Sequence, residues 1–499
     1  MTQNITMHEA RFIEETSEHL RVCLPTNPSF RGADWTLRVV SREEEFDQLE
    51  ERWDELVQHA SCTVFQDFAW LRSWWRHEVR AKDAHLHIVV LSCESHIVAI
   101  APLYIEWVRL FGFAPVRCLR FLGRRQSDYL DIIIRHDVNE QDVYAQLVRH
   151  LVEYCNQWDV VLLEDIPQRS ASSTMLLEAA RSVGLEGTAQ VNERCPNIIL
   201  PYCWDEYLRR LSKKERHECR RRERGLQQHF QAEFETITDE RELARAFEDF
   251  VALHEQAWND RREPGVFAEK ATLAFHREVI GKLFRRGYVR LGFLRLDGKR
   301  VAGSYAFVYG TTHALYLLGV SGRHRAGSLG PGIALCCFNI RRAIEEQRRV
   351  FDFMRGMERY KYALAAHDEP NWTLTLYAAP RKWFVSARRI RDAVVLWESL
   401  RHRLGKELWR LRHAALNDGW LSTETAKQFI RSCFSLIRDG IKKSRAPLQP
   451  LYLRTNQSNR TDQQLDRDSE TGVSHHDEGS TMPVHSPKPI RTERSRLSQ

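Results

Sequence analysis

The run from Tyr316 to Leu364 limits what this chain can fold into more than any other stretch. It reads as a strand (Tyr316 to Val320), a glycine-rich loop (Arg323 to Gly332), an amphipathic helix (Ile333 to Arg348), a second strand (Val350 to Met354) and a turn carrying Tyr360 and Lys361. That order points to a mixed α/β fold. Backbone N–H groups at a helix start are unpaired and carry partial positive charge, so a strand, a glycine loop and a helix together suit an anion. Ile333, Cys336, Cys337, Ile340 and Ile344 form the apolar stripe, and Arg341, Arg342, Glu345 and Glu346 face away from it. Pro331 suits the first helical position, where its missing N–H costs little. Gly327, Gly330 and Gly332 leave the loop backbone approachable, so a pyrophosphate can rest on its N–H groups while Arg323 or Arg325 supplies charge. On the next strand Asp352 stands between Phe351 and Phe353, which places a carboxylate in the core or at a strand end facing a cleft.

A second constraint is internal similarity. Leu86, Leu91, Val98, Ala99 and Tyr104 fall on Val289, Leu294, Val301, Ala302 and Phe307 at one constant offset, and Val64-Phe65 falls on Val266-Phe267. Both halves therefore contain a strand, turn, strand unit after similar helices, as two copies of one α/β unit would.

Along the chain, residues 1–34 read as a loose arm. Trp35 to Val40 reads as a strand, and Ser41 with Glu44 offers a capping box for a helix bearing Phe46, Leu49, Trp53, Leu56 and Val57. Phe65 to Trp75 is an aromatic-rich helix suited to core packing. Leu86 to Leu91 and Ile97 to Ile105 are strands. His85 and His87 lack a third ligand and read as a surface pair rather than a zinc site, so no metal is expected. Ser127 to Asp131 sets Asp128 and Asp131 around Tyr129 at a strand mouth, where they either orient a polyhydroxyl or amine or cap a turn. Between the halves, Leu211 to Gly225 is a helix dense in Lys and Arg, either a solvated face or a basic wall beside an anionic ligand. Residues 383–445 carry apolar positions at helical spacing among many Arg, a basic helical extension. Residues 446–499 are polar with almost no aromatics and are expected to be disordered.

At 499 residues and 43% hydrophobic, the chain has room for two or three domains. Its charge of +7, from 74 basic against 67 acidic residues, is modest; no DNA partner is expected, and acidic small ligands or a membrane surface would serve as well. The 11 cysteines contain no C-x-x-C pair and read as core thiols in a reducing compartment. No secretory signal is visible, and the apolar-leaning Ile97 to Phe113 is broken by Pro102, Glu106 and Arg109. A cytoplasmic protein is expected, with peripheral contact at the inner face of the membrane as a further option.

Tyr316-Leu-Leu-Gly-Val320, Gly330-Pro-Gly-Ile-Ala-Leu335 and Val350-Phe-Asp-Phe-Met-Arg-Gly-Met-Glu-Arg-Tyr-Lys361 together resemble the signature of the CelD-like acetyltransferases. This is a branch of the GNAT superfamily associated with bacterial cellulose and exopolysaccharide biosynthesis. The resemblance extends to Leu253-His254 with Trp258, to Phe275-His276, and in the first half to Phe65-Gln66 and Ser127 to Asp131. It implies two tandem GNAT-like folds akin to FemAB-type proteins, at 35–200 and 201–382, followed by the helical extension and tail. It further implies an N-acyltransferase using acetyl-CoA or another acyl-CoA, acting on an amine of a sugar or cell-envelope precursor. Asp352 is then the base or ammonium anchor, Tyr360 the proton donor, Lys361 an anion or hydroxyl contact and His254 a second candidate base. Val320, Arg323, Arg325, Gly327, Gly330 and Gly332 would hold the donor, and Asp128, Tyr129, Trp258 and His276 the acceptor. The loop departs from the usual pattern because Gly327 stands where Gln or Arg is usual. Two other readings stay open: aminoacyl transfer from charged tRNA, and a non-catalytic scaffold docking on a membrane-bound synthase through 383–445.

Overall fold

The hairpins of the two halves share one register. In the computed structural model Leu86 pairs with Tyr104 and Leu91 with Ala99, while Val289 pairs with Phe307 and Leu294 with Ala302. These are the residues matched by the internal similarity, so the repeat in sequence is a repeat in strand pairing. The structure describes residues 35–79, 83–94, 96–110, 114–322, 324–377 and 387–418. The expected N-terminal arm, the later part of the basic extension, the polar tail and Arg323 lie outside the described residues.

The first half runs β1 (Trp35–Val40), α1 (Glu43–Asp47), α2 (Glu50–Gln58), α3 (Phe68–Glu78), β2 (Ala84–Leu86), β3 (Ile88–Cys93), β4 (His96–Ala101), β5 (Leu103–Leu110), β6 (Ala114–Phe121), β7 (Ile133–Ile134), α4 (Glu140–Glu153), β8 (Val160–Pro167), α5 (Ser172–Ser182) and β9 (Glu186–Ile199). The second half runs α6 (Trp204–Arg210), α7 (Lys213–His229), β10 (Ala232–Thr236), α8 (Glu240–Asn259), α9 (Lys270–Arg285), β11 (Val289–Leu296), β12 (Lys299–Tyr309), β13 (Thr312–Val320), α10 (Pro331–Glu345), β14 (Val350–Asp352), α11 (Arg359–Ala363) and β15 (His367–Tyr377). The backbone helix α12 (Ala387–Asp418) follows.

Among the described residues eleven strands join in one sheet, in the order β10-β11-β12-β13-β14-β9-β15-β8-β6-β5-β2, and β1-β3-β4-β7 form a second sheet. The centre of the large sheet is an exchange. β14 pairs with β9 of the first half, β8 pairs with β15 of the second, and β9 and β15 pair along their length. The second sheet arises where the first half's hairpin breaks. Pro102, which has no N–H to give a ladder, separates β4 from β5, and His87 separates β2 from β3. The second half has no proline there, and β12 runs unbroken.

Three local expectations differ. Ser41 does not cap α1, whose N-cap is Arg42 without a side-chain bond; the capping box instead forms between Thr63 and Gln66, ahead of α3. The aromatic helix begins at Phe68, after a 3-10 turn at Val64–Gln66, because Asp67 caps it through the Ala69 N–H. His87 is buried rather than on the surface, its Nε2 lying 3.0 Å from Nε2 of His150. Burial pushes both imidazoles down to about 4, so the pair is neutral at ordinary pH.

Aromatic and aliphatic side chains of α3, α8 and α9 fill the core against β11 and β12. A separate cluster packs α10 on β14 through Cys336, Ile340, Phe351 and Phe353. Every described cysteine is free. The described part of the basic extension packs on its own chain. Val394 is buried with Val108, Val116, Cys118 and Tyr377, Glu398 pairs with Arg120 and Arg124, and Arg410 reaches Glu263. Among the described residues no helix is long and apolar enough to cross a membrane.

Candidate active site

β13 and β14 run parallel only from Thr312 opposite Val350 to Ala314 opposite Asp352. Beyond that pair β14 ends while β13 continues six residues to Val320, so the strands part into a wedge with Asp352 at its apex. A bulge opens the same stretch. The ladder with β12 passes from Leu315 opposite Ala306 to Leu317 opposite Tyr305, leaving Tyr316 as the extra residue. Leu317, Leu318 and Val320 on this edge are only half-buried.

The start of α10 closes one end of the wedge. Gly330 is the N-cap in a left-handed conformation (φ 59°), which glycine adopts without strain. At Gly332 a Cβ would stand 2.7 Å from Cγ2 of Val320, so the helix start seats directly on the end of β13. Arg222 of α7 donates from Nη1 to the Leu329 carbonyl at 3.2 Å and lies hard against Gly330. The basic helix therefore flanks the loop, with Gly225 packed on Leu329 and the Cys219 and Cys337 sulfurs 3.2 Å apart. A Cβ at Gly327 would meet nothing within 4 Å. Arg325 is less available than expected: it pairs with Asp297 at 2.7 Å and lies over Phe230.

Residues on a strand alternate in facing, so Phe351 and Phe353 pack toward α10 while Asp352 faces the other way. Its carboxylate is buried, accepting from the Tyr129 hydroxyl at 2.7 Å and from the Met354 N–H at 2.8 Å. Burial is the largest influence and raises it to about 6, against the lowering effect of the Tyr129 and Met354 bonds. Tyr129 is itself buried, with the Arg169 guanidinium 4.9 Å from its ring centroid. Next to it, Asp128 accepts a charge-assisted bond from Arg355 Nε, and Arg355 also approaches Asp165 at 3.5 Å. The Tyr316 hydroxyl donates to the Gln126 carbonyl at 2.8 Å. Asp352, Tyr129, Asp128, Arg355 and Tyr316 thus converge where the halves meet.

Other expected residues go elsewhere. Lys361, read as an anion or hydroxyl contact, is buried and donates to the carbonyls of Met354, Arg355 and Gly356 at 3.3, 2.7 and 3.1 Å, with Glu358 at 2.9 Å. Its ammonium is spent on holding the turn that follows Asp352. Lys361→Met is expected to cost about 2 kcal/mol of unfolding free energy, the loss of charge-assisted bonds to buried carbonyls, read from urea curves. Tyr360 packs edge-on against Phe353, on the α10 side of the sheet, and burial raises its hydroxyl well above the usual tyrosine range. His254, the second candidate base, has both nitrogens engaged. Nδ1 lies 3.2 Å from the Leu318 carbonyl, Nε2 accepts from the Val266 N–H at 3.4 Å, and burial lowers it to about 4. It packs α8 onto β13 rather than facing a cleft. His276 is fully buried among Trp70, Phe267, Phe275, Tyr305 and Tyr316, and neither ring nitrogen has a hydrogen-bond partner among the described residues. Trp258 is half-buried, with Arg261 over its ring. Among the described residues no group of His, Cys, Asp and Glu is arranged to hold a metal.

Sequence reading missed Arg355, Arg222 and the bulged Tyr316 as members of this site. Arg222 had a signal in the basic helix, but nothing in a run of arginines says which one meets the loop.

Residues 213–362, which include α7, the wedge and α10, match the family model described as an acetyltransferase (GNAT) domain. A crystal structure of FemX is similar over 68% of this chain and 96% of its own, at 10% identity and a TM-score of 0.45. A tandem GNAT protein from the clavulanic acid biosynthesis pathway is similar over 70% and 100%, at 11% identity and 0.36. L-PGS from Bacillus licheniformis is similar over 70% and 96%, at 10% identity and 0.42. No curated protein matches the chain. The chain carries a GNAT acetyltransferase domain and is an acyltransferase.

Proposed function

We propose that the protein is an acyl-CoA-dependent N-acyltransferase of the CelD-like kind, acting on an amine of a sugar or of a cell-envelope or exopolysaccharide precursor. The observation that carries this reading is the wedge between β13 and β14 with a buried carboxylate at its apex. GNAT folds generally use acyl-CoA, and the parts around the wedge suit one. The pyrophosphate rests at the α10 start beside Arg222, the pantetheine arm runs along the open edge of β13, and the thioester emerges beside Asp352. The acceptor nitrogen attacks the thioester carbon, forming the N–C bond as the C–S bond breaks. Asp352 takes the ammonium proton, directly or through one water, and the leaving thiolate takes a proton from water, because Tyr360 packs on the opposite face of the sheet from Asp352. Asp128 and Tyr129 orient the acceptor, and the burial of His254 and Lys361 leaves them supporting the site without touching substrate.

Calorimetry with acetyl-CoA tests the donor. Saturable binding that weakens at least tenfold in Arg222→Ala is expected, and no heat at millimolar acetyl-CoA would end this reading. Aminoacyl transfer from charged tRNA is favoured by one observation, the exposed Lys213, Lys214, Arg220 and Arg224 of α7, the helix whose Arg222 meets the loop. It requires tRNA binding that falls steeply with salt.

A further inference from the structure

The first half contains the same parting of strands, and there it is filled. β6 and β8 are parallel only at Cys118 opposite Val160 and Leu119 opposite Val161, as β13 and β14 are only over their first three pairs. Beyond Leu119 they separate, and the chain itself turns into the gap. Gly123 (φ 88°) starts the turn, accepting from the Gln126 and Ser127 N–H groups. Leu130 then donates its N–H to the Asp165 carbonyl of β8 at 2.9 Å. Its side chain, with Ile132, is buried in one cluster with Phe121 of β6 and Leu163 and Ile166 of β8, the residues that flank the parted strands. In the second half the corresponding residues Leu317, Leu318 and Val320 are half-buried, and among the described residues no segment pairs with the β14-side edge of β13 beyond Ala314.

We infer that the chain takes one acyl donor, held in the second half, and that the first half's wedge is closed by its own segment Gly123–Ile132. The inference rests on the donor reading of the second wedge. The closing segment is also what the first half offers to the candidate site. Gln126 accepts from Tyr316 and donates to Thr272 at 3.1 Å, Asp128 accepts from Arg355, and Tyr129 donates to Asp352. A copy of the fold that has given up its own donor thereby supplies the acceptor side of its neighbour's reaction. Ser127 is held in place by the Trp70 Nε1–H at 2.9 Å, which fixes the segment against α3.

The test is calorimetric titration of the full chain with acetyl-CoA, with hydrogen exchange read by mass spectrometry on the same complex. The expected result is one donor per chain, with exchange slowed in β13 and the first turns of α10 and unchanged in β6, β8 and 123–132. Two donors per chain, or a single donor protecting both wedges, would overturn the inference while leaving the second-half donor site intact. Protection of the first wedge alone overturns both it and the donor reading. So does the absence of any binding.

Discussion

Asp352→Asn should lower kcat by about 10²- to 10⁴-fold, the usual worth of a positioned general base. It should do so without loss of stability. Burial raises the Asp352 carboxyl to about 6, well above the roughly 3.9 of an unfolded aspartate. The folded state therefore binds this proton more tightly than the unfolded chain. That contribution to stability is fully present below about 3.9 and is lost as pH rises through about 6. At neutral pH the parent carries a buried charge that asparagine does not, and the amide oxygen can still accept one of the two bonds from Tyr129 and Met354. The variant should thus unfold at the same or higher urea concentration at neutral pH. In the parent, kcat/KM should climb through about pH 6 as the carboxylate forms, and that limb should be missing from the variant. A kcat within threefold of the parent's would make Asp352 a structural carboxylate.

Arg120→Met is the substitution with the largest expected effect on folding. Arg120 is fully buried on β6, with Glu164 at 2.7 Å, Glu398 at 3.0 Å and Glu106 at 3.2 Å. Methionine matches much of the volume but leaves three carboxylates sharing Arg124. Removing one partner of a buried ion cluster costs about 3–5 kcal/mol, because the others keep their desolvation penalty and lose their compensation. Against the opposing effect of burial, Arg124 and Arg120 hold Glu164 down to about 2. In the parent, this carboxylate's contribution is present above its unfolded value of about 4.3 and lost as pH falls through about 2. In the variant that depression weakens, so the stability gap from the parent should narrow on acidification. Because Glu398 lies on α12, limited proteolysis should also cut within α12 sooner in the variant. A gap below 1 kcal/mol at neutral pH would mean that Arg124 alone suffices.

The hairpin register was legible because both halves carry the same apolar alternation, and matched positions such as Leu86 and Val289 occupy matched places in the ladder. The wedge was legible in part: a strand, a glycine loop and a helix start are local patterns, and their order survives in β13, Gly330 and α10. The partners of Asp352 were not. Tyr129 is 223 residues away, and no periodicity says which hydroxyl a buried carboxylate will meet. Lys361 misled for a related reason, since a lysine beside a buried carboxylate reads as a ligand contact until its carbonyl partners are seen. His87 misled because strand alternation assumes an unbroken strand, and the chain turns there. The Thr63 to Gln66 box has the same spacing in the sequence as Ser41 and Glu44, and spacing alone does not say which of the two caps.

The exchange of β9 and β15 at the centre of the sheet bears on how such a chain can come apart. A cut between Leu200 and Trp204 would leave two fragments, each keeping a strand that completes the other's sheet. The arrangement is that of a strand-swapped dimer whose copies have been joined end to end. Residues 200–203 then serve as a tether, and the association of the halves resides in the paired strands. Substitutions in β9 or β15 are therefore felt on both sides at once, and the two copies, although free to diverge in their wedges, are bound to change together along that seam.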